Sequence, residues 1–269
     1  MKRNMAKETK TKSKWTIGAS FWNKLVFGLM GVFMFFLIGF VENQHANRTV
    51  KSTQVRINYE ADNYFVDEAD ILRTLTMNNA DQIVGKKYRD IELKNLELRL
   101  ESIKFVEDAQ ISTDHKGTLM VEIVQSKPIA RIVNQNAPHA YIGSNATALS
   151  TSDKFTSRVL IIDGPFAPKL MKENYLLTDS TGSKYFQLIQ FIDQSEYWKK
   201  MISQITLQAN GNIIMLPQIG DYEIQFGKPE NIENKFKKID MFFKDILPSK
   251  GWDAYKTVNV SFNNQIVCE

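Results

Sequence analysis

Nucleophiles, paired carboxylates and metal-ligand spacings are the residue patterns that do chemistry, and this chain has few of them. Cys268 is the single cysteine. A cysteine acts as a nucleophile only as its thiolate, which needs a base or a cation beside it, and no histidine lies near Cys268 in sequence. An inert thiol is therefore expected, and a single cysteine excludes an intrachain disulfide. His45, His115 and His139 stand far apart, without a second ligand at metal spacing, so solvated or capping roles are expected. The acid pairs Asp67-Glu68 and Glu107-Asp108 could do acid–base work only in a pocket that perturbs them. In the first turn of a helix or at the entrance to a strand, such acids are usually structural. The sequence has no Gly-x-Ser-x-Gly elbow, no Ser-x-x-Lys set, no His-Glu-x-x-His and no phosphate-binding Gly-x-x-x-x-Gly-Lys-Ser/Thr loop. The expectation is a non-enzymatic protein with no catalytic, cofactor-binding or metal-binding residues.

The elements that would position any site read as α+β. Val55, Ile57 and Tyr59 alternate as a half-buried strand. Asp67 then opens a helix with Ile71, Leu72 and Leu75 on its buried face. Leu93, Leu96, Leu100 and Ile103 form the apolar stripe of a second, amphipathic helix. Strands follow over Val106 to Ser112 and Leu119 to Val124, joined by the turn Thr113 to Gly117. This β-α-α-β-β order, over residues 53–128, suits a three-stranded sheet with both helices on one face. It ends near Lys127-Pro128, because proline cannot donate to a central ladder. Residues 129–269 read as a mostly antiparallel β domain with helices. It contains a buried run, Arg158 to Ile162, and a helix marked by Tyr185, Leu188, Ile189 and Ile192. A hairpin turns at Asn210-Gly211, and a strand runs from Tyr222 to Phe226. Pro229 is expected in the first turn of a helix carrying Ile232, Phe236, Ile239 and Phe243, and Val258 to Val267 is expected to close the chain as strand, at least in its first half.

Residues 25–41 (LVFGLMGVFMFFLIGFV) are a long uncharged apolar run behind a basic leader. At about 1.5 Å per residue they fall slightly short of the roughly 30 Å hydrocarbon core, and extension back to Phe21 with a snorkelling Lys24 closes the gap. Residues 1–24 carry seven basic side chains and one acid, so the N-terminus is expected in the cytoplasm and the bulk outside. A cleaved signal peptide competes with this reading, but its apolar region should be roughly 7–15 residues and be followed by a small-x-small site. Glu42, Asn43 and Gln44 do not supply one, and an uncleaved anchor at 25–41 is favoured, followed by a polar stalk at 42–52. Beyond the leader, 27 basic residues face 29 acidic ones, which gives no electrostatic footprint for nucleic acid.

A β-α-α-β-β unit directly after a single N-terminal anchor looks like a POTRA domain, and the whole layout resembles the bacterial cell-division family FtsQ/DivIB. The local sequence that carries the resemblance is Phe65-Val66-Asp67-Glu68, Asn95-Leu96-Glu97, Val106-Glu107-Asp108-Ala109 and, most specifically, Gln125-Ser126-Lys127-Pro128-Ile129-Ala130-Arg131. The resemblance implies a single-pass inner-membrane protein of the division septum, its bulk periplasmic, that ties early division proteins to late ones. It implies FtsB and FtsL as partners and, through them, FtsW and FtsI. It also implies that the POTRA domain recruits the protein to the septum, with Lys94 and Arg99 on the second helix as candidate contacts. Thr257, Val258, Asn259, Val260, Ser261 and Phe262 match in place the strand on which the family receives FtsB, by β-augmentation of a sheet edge. The alternative for that strand is an internal position closing its own sheet. Two other functions stay open, a membrane-tethered periplasmic envelope enzyme and a POTRA-type transport component. The latter usually carries an outer-membrane barrel, for which the second half has too few even strands.

Overall fold

The computed structural model describes residues 26–37, 47–59, 63–134, 138–172 and 174–269. Residues 26–37 form helix α1, exposed along its length; Leu25 and residues 38–41 of the expected anchor, with the leader and residues 42–46, lie outside the described residues. Among the described residues, no helix is long and apolar enough to cross a membrane.

The next unit is built from β1 (Ser52–Asn58), α2 (Glu68–Leu75), α3 (Leu93–Glu101), β2 (Val106–Thr113) and β3 (Thr118–Gln125). The sheet order is β1-β3-β2, with β1 parallel and β2 antiparallel to the central β3. Period-two alternation buries Leu119, Val121 and Ile123 of β3 against Ile71, Leu75, Leu96 and Leu100 of the helices. The first helix starts where the sequence places it. The Asp67 carboxylate accepts from Asp70 N at 2.8 Å, the Asp70 carboxylate accepts from Asp67 N, and the two bonds form a capping box. Val50, inside the expected stalk, is 1% exposed and packs in this core.

Strand β4 (Pro128–Ile132) begins after only Ser126 and Lys127. It opens a nine-stranded sheet with β5 (Ala140–Gly143), β6 (Ala148–Ser150), β7 (Leu160–Asp163), β8 (Ile202–Leu207), β9 (Ile213–Pro217), β10 (Glu223–Gly227), β11 (Thr257–Asn259) and β12 (Val267–Cys268). The order is β12-β11-β10-β9-β8-β7-β4-β5-β6. Five neighbouring pairs are antiparallel, while β4–β7, β7–β8 and β10–β11 are parallel. Parallel neighbours need long crossovers. The β4–β7 connection carries β5 and β6, and the β7–β8 connection carries α4 (Tyr175–Thr178), α5 (Ser180–Gln194) and α6 (Glu196–Met201). The β10–β11 connection carries α7 (Ile232–Met241), a π turn over Phe242–Ile246 and α8 (Leu247–Lys250). Pro229 precedes α7 by three residues instead of entering its first turn, because Asn231, in a left-handed conformation, redirects the chain at the helix start. The helices bury Leu188, Ile192, Phe236 and Phe242 with Ile205, Met215 and Ile224 of the sheet.

The two cores meet at Tyr141 of β5. This side chain is 1% exposed and belongs to the core of the first unit. It packs edge-on to Phe65 at 5.8 Å and to Phe105 at 6.3 Å, and Phe65 stacks on Phe105 at 4.1 Å.

The candidate partner-binding edge

The six residues singled out for partner binding lie at one end of the nine-stranded sheet. Thr257–Asn259 form β11, and residues 260–262 leave the sheet beyond it. Val258 and Val260 are fully buried, while Phe262 is 47% exposed. The side chains of Thr257 and Asn259 therefore occupy the other face, where Asn259 Nδ2 donates to Gln225 Oε1 at 2.8 Å. Asn259 Oδ1 accepts from Ser261 N at 2.9 Å and from Ser261 Oγ at 2.6 Å, an Asx turn that ends the strand.

The expectation that β11 is itself the sheet edge needs correction: β10 flanks it on one side and β12 on the other. Thr257 exchanges two hydrogen bonds with Glu269, N to O at 2.9 Å and O from N at 3.0 Å, and Lys256 N also donates to Glu269 O at 2.6 Å. The reason is the bend at Asn264, whose φ of 58° lets residues 267–269 fold back onto the strand. Alternation along β11 sends the Asn259 N–H toward β12, whereas Val260 N donates the opposite way to Gln225 O at 3.1 Å. The outer strand is thus β12, two residues long.

Residues invisible to the sequence reading complete this end of the sheet. Lys238 of α7 donates from Nζ to Val260 O at 3.2 Å and also to Phe262 O, so a helix lysine holds the carbonyls just past β11. Lys235 is 7% exposed, donates to Lys228 O at 2.7 Å and lies over the Phe226 ring at 4.7 Å; burial pushes its ammonium pKa down. The only sequence signal for either lysine is its place one or two residues from the buried positions Phe236 and Ile239. Cys268 is half-buried in β12, and burial pushes its thiol pKa up, away from the reactive thiolate.

The recruitment residues separate. Lys94 is exposed on α3. Arg99 is not the free surface position expected: Nη1 donates to Leu75 O at 2.9 Å and to the Asp81 carboxylate at 3.3 Å, tying α3 to the end of α2. Glu97 of the same helix accepts from Ile111 N at 2.8 Å, covering one outward N–H of edge strand β2. The carboxylate pairs serve structure. Asp67 caps α2 and pairs with Lys154 at 2.9 Å, a hydrogen bond that holds the Asp67 carboxyl below its usual range, and Glu107 accepts from Asn145 at 3.3 Å. Among the described residues, no group of three or more His, Cys, Asp or Glu side chains is arranged to hold a metal ion.

A three-stranded unit of POTRA type followed by a sheet whose helices pack on one face defines a two-domain class of protein. The comparisons agree with it: residues 48–124 match a POTRA-like domain, and residues 127–269 match the family described as FtsQ/DivIB, C-terminal related. The second match covers more than half of the chain, and the chain belongs to the FtsQ/DivIB family of non-enzymatic cell-division proteins. None of the curated proteins matches it.

Proposed function

We propose that this protein is a division scaffold held in the inner membrane by residues 25–41, with residues 1–24 cytoplasmic and the POTRA and β domains periplasmic. In this reading it binds FtsB and FtsL through Thr257 to Phe262, links them to FtsW and FtsI, and is recruited to the septum by the POTRA face around Lys94. The observation that carries the reading is the slight cover on β11: β12 is two residues long, and together with Glu269 it lies opposite only Thr257, Val258 and Asn259. A partner strand that replaces β12 regains the Thr257 and Asn259 backbone bonds and continues past Asn259 toward the exposed Phe262 ring, which supplies an apolar anchor. Family membership supports a cell-division role for the same chain. The test is depletion of the protein in its host with cell shape recorded. Filaments of undivided cells are expected. Normally shaped cells with altered envelope chemistry would contradict the scaffold reading and favour a tethered envelope enzyme.

A further inference from the structure

The sheet edges of this molecule are not alike. Among the described residues, β12 and β6 end the large sheet with two and three residues. Edge strand β2 is eight residues long, but a bulge interrupts it between Val106 and Asp108 and the Glu97 carboxylate covers Ile111 N at 2.8 Å. Strand β1 has neither device. Its seven residues run in unbroken register beside β3, with no proline, no bulge and Arg56 as their one charge. Such an edge is a template for a further strand unless the protein blunts it. The direction of its backbone groups follows from the residues just before it. Lys51 N donates to Gly117 O at 2.8 Å, on the β3 side, whereas Val50 N donates to Lys86 O at 2.9 Å and Val50 O accepts from Gly85 N at 2.7 Å, on the other side. Backbone groups alternate along a strand, so Thr53, Val55 and Ile57 face β3 while Ser52, Gln54, Arg56 and Asn58 point outward. No backbone group among the described residues bonds them there. Side chains alternate between the two faces, with Val55 and Ile57 packed half-buried on the core side and Gln54 and Arg56 exposed on the other.

We propose that β1 pairs antiparallel with β1 of a second copy of this chain, joining two three-stranded sheets across a two-fold axis at Val55. The occupant is chosen by the edge itself, which carries both halves of one matching register. With the axis at Val55, Ser52 lies opposite the partner's Asn58 and Gln54 opposite the partner's Arg56, and all of these residues have outward backbone groups to exchange. The Gln54 amide oxygen is then placed to accept from the opposing guanidinium, which lies 3.5 Å from Glu122 of its own sheet. On the other face Thr53 meets the partner's Ile57 and Val55 meets its own copy, so β-branched and apolar side chains extend the half-buried strip across the joint. Neighbouring registers fail for stated reasons. A shift of one residue sets outward groups against inward ones. An axis at Gln54 sets Asn58 against Val50, whose outer side is already bonded to Gly85 and Lys86, and an axis at Arg56 sets two arginines face to face. The free edge also has the length this pairing needs: the 85–86 loop bounds it before Ser52, and β1 itself ends at Asn58.

The test is the molar mass of the full-length protein in mild detergent, read by light scattering over a range of concentrations with the detergent mass subtracted. A dimer that forms with rising concentration is expected. Gln54→Pro removes an outward N–H and no bond to β3, so it should keep the melting temperature and weaken the dimer at least tenfold. Gln54→Arg, which sets arginine against arginine, should weaken it severalfold. Cross-linking reads the register directly. Val55 faces its own copy at a non-hydrogen-bonded pair, where Cα atoms are about 4.5 Å apart and within disulfide reach. In a Cys268→Ser background, Val55→Cys should therefore oxidise to a covalent dimer. Thr53→Cys alone should not, but a mixture of Thr53→Cys and Ile57→Cys proteins should. A native protein that stays monomeric at every concentration would overturn the proposal. So would a folded Gln54→Pro protein that associates as before, the result expected if α1 held the copies together, or Val55→Cys that cross-links no better than Thr53→Cys.

Discussion

Single side chains decide more of this molecule than its charge count suggests, and Gln125 is the clearest case. It is 1% exposed and makes three buried bonds: its Oε1 accepts from Phe65 N at 3.1 Å and Val66 N at 3.2 Å, and its Nε2 donates to Asn63 O at 2.7 Å. Gln125→Leu keeps the volume but strands two amide donors and a carbonyl, so thermal melts should show a loss of about 3 kcal/mol. Arg99 and Lys94 give a paired contrast on one helix. Arg99→Glu breaks the bond to Leu75 O and sets two acids together at Asp81, with an expected cost of about 1–2 kcal/mol, while Lys94→Glu should stay within about 0.5 kcal/mol. A localisation defect in Lys94→Glu would thus report recruitment, and one in Arg99→Glu could report folding. Burial pushes the phenols of Tyr185 and Tyr222 up to about 12 from the ordinary value of 10.0. A phenol whose folded pKa is raised supports the fold fully below pH 10, and that support is lost as pH rises from 10 toward 12. Denaturant midpoints should fall across that window, and Tyr185→Phe and Tyr222→Phe should flatten the fall. A midpoint constant from pH 9 to 12 would contradict the assignment.

At the scale of elements, periodicity was readable in the sequence and pairing was not. The Asp67 capping box, the stripe on α3 and the alternation of β3 are local patterns, and each becomes the element it announces. The hairpin at Asn210-Gly211 also forms, but with a different turn from the favoured two-residue type. Gln208 N bonds Asn212 O at 2.9 Å, so the loop has three residues, and Gly211 at φ 77° takes the left-handed position after a type I turn. Tyr185, whose hydroxyl donates to Gly211 O at 2.6 Å, lies far off in sequence and leaves no local trace of that choice. The same limit hid β12. A two-residue strand has no periodicity, and its pairing with β11 depends on the bend near Asn264. Of the candidate edge, the strand at Thr257 to Asn259 was legible and its neighbours were not. One expectation belongs to this scale: Lys238→Met frees the carbonyls of Val260 and Phe262. Amide exchange of residues 260–262 and 267–269 should then speed up severalfold while the β8–β9 ladder keeps its protection. Unchanged exchange would mean that the lysine does not hold this segment.

The whole molecule behaves as two cores joined through an aromatic cluster, in which Tyr141 and Phe155 of the β domain pack on Tyr64, Phe65 and Phe105. Lys154 reinforces the joint by bonding Asp67 and Asp70 of the POTRA domain, and Ser157 Oγ donates to Asn63 Oδ1 at 2.8 Å. Calorimetry should record one cooperative transition for the native chain and two for Tyr141→Ala, which removes the ring the cores share. A single transition in that variant would deny the coupling. Such a joint couples the POTRA domain to the β domain, as the proposed recruitment at one end and binding at the other would require. The proposed anchor would complete that arrangement. Replacing residues 1–41 with a cleavable signal peptide should give a folded periplasmic protein that fails to support division, and full complementation would contradict the need for tethering. The central claim, that a partner strand joins the sheet at Thr257 to Phe262, is tested most directly by calorimetric titration of the periplasmic part of FtsB into the protein and its Asn259→Pro and Ser261→Pro variants. Circular dichroism serves as the folding control. Main-chain pairing predicts that folded proline variants lose binding, because each lacks an N–H donor and blocks the ladder, while Phe262→Ala only weakens it. Unchanged affinity in both folded proline variants would contradict the account.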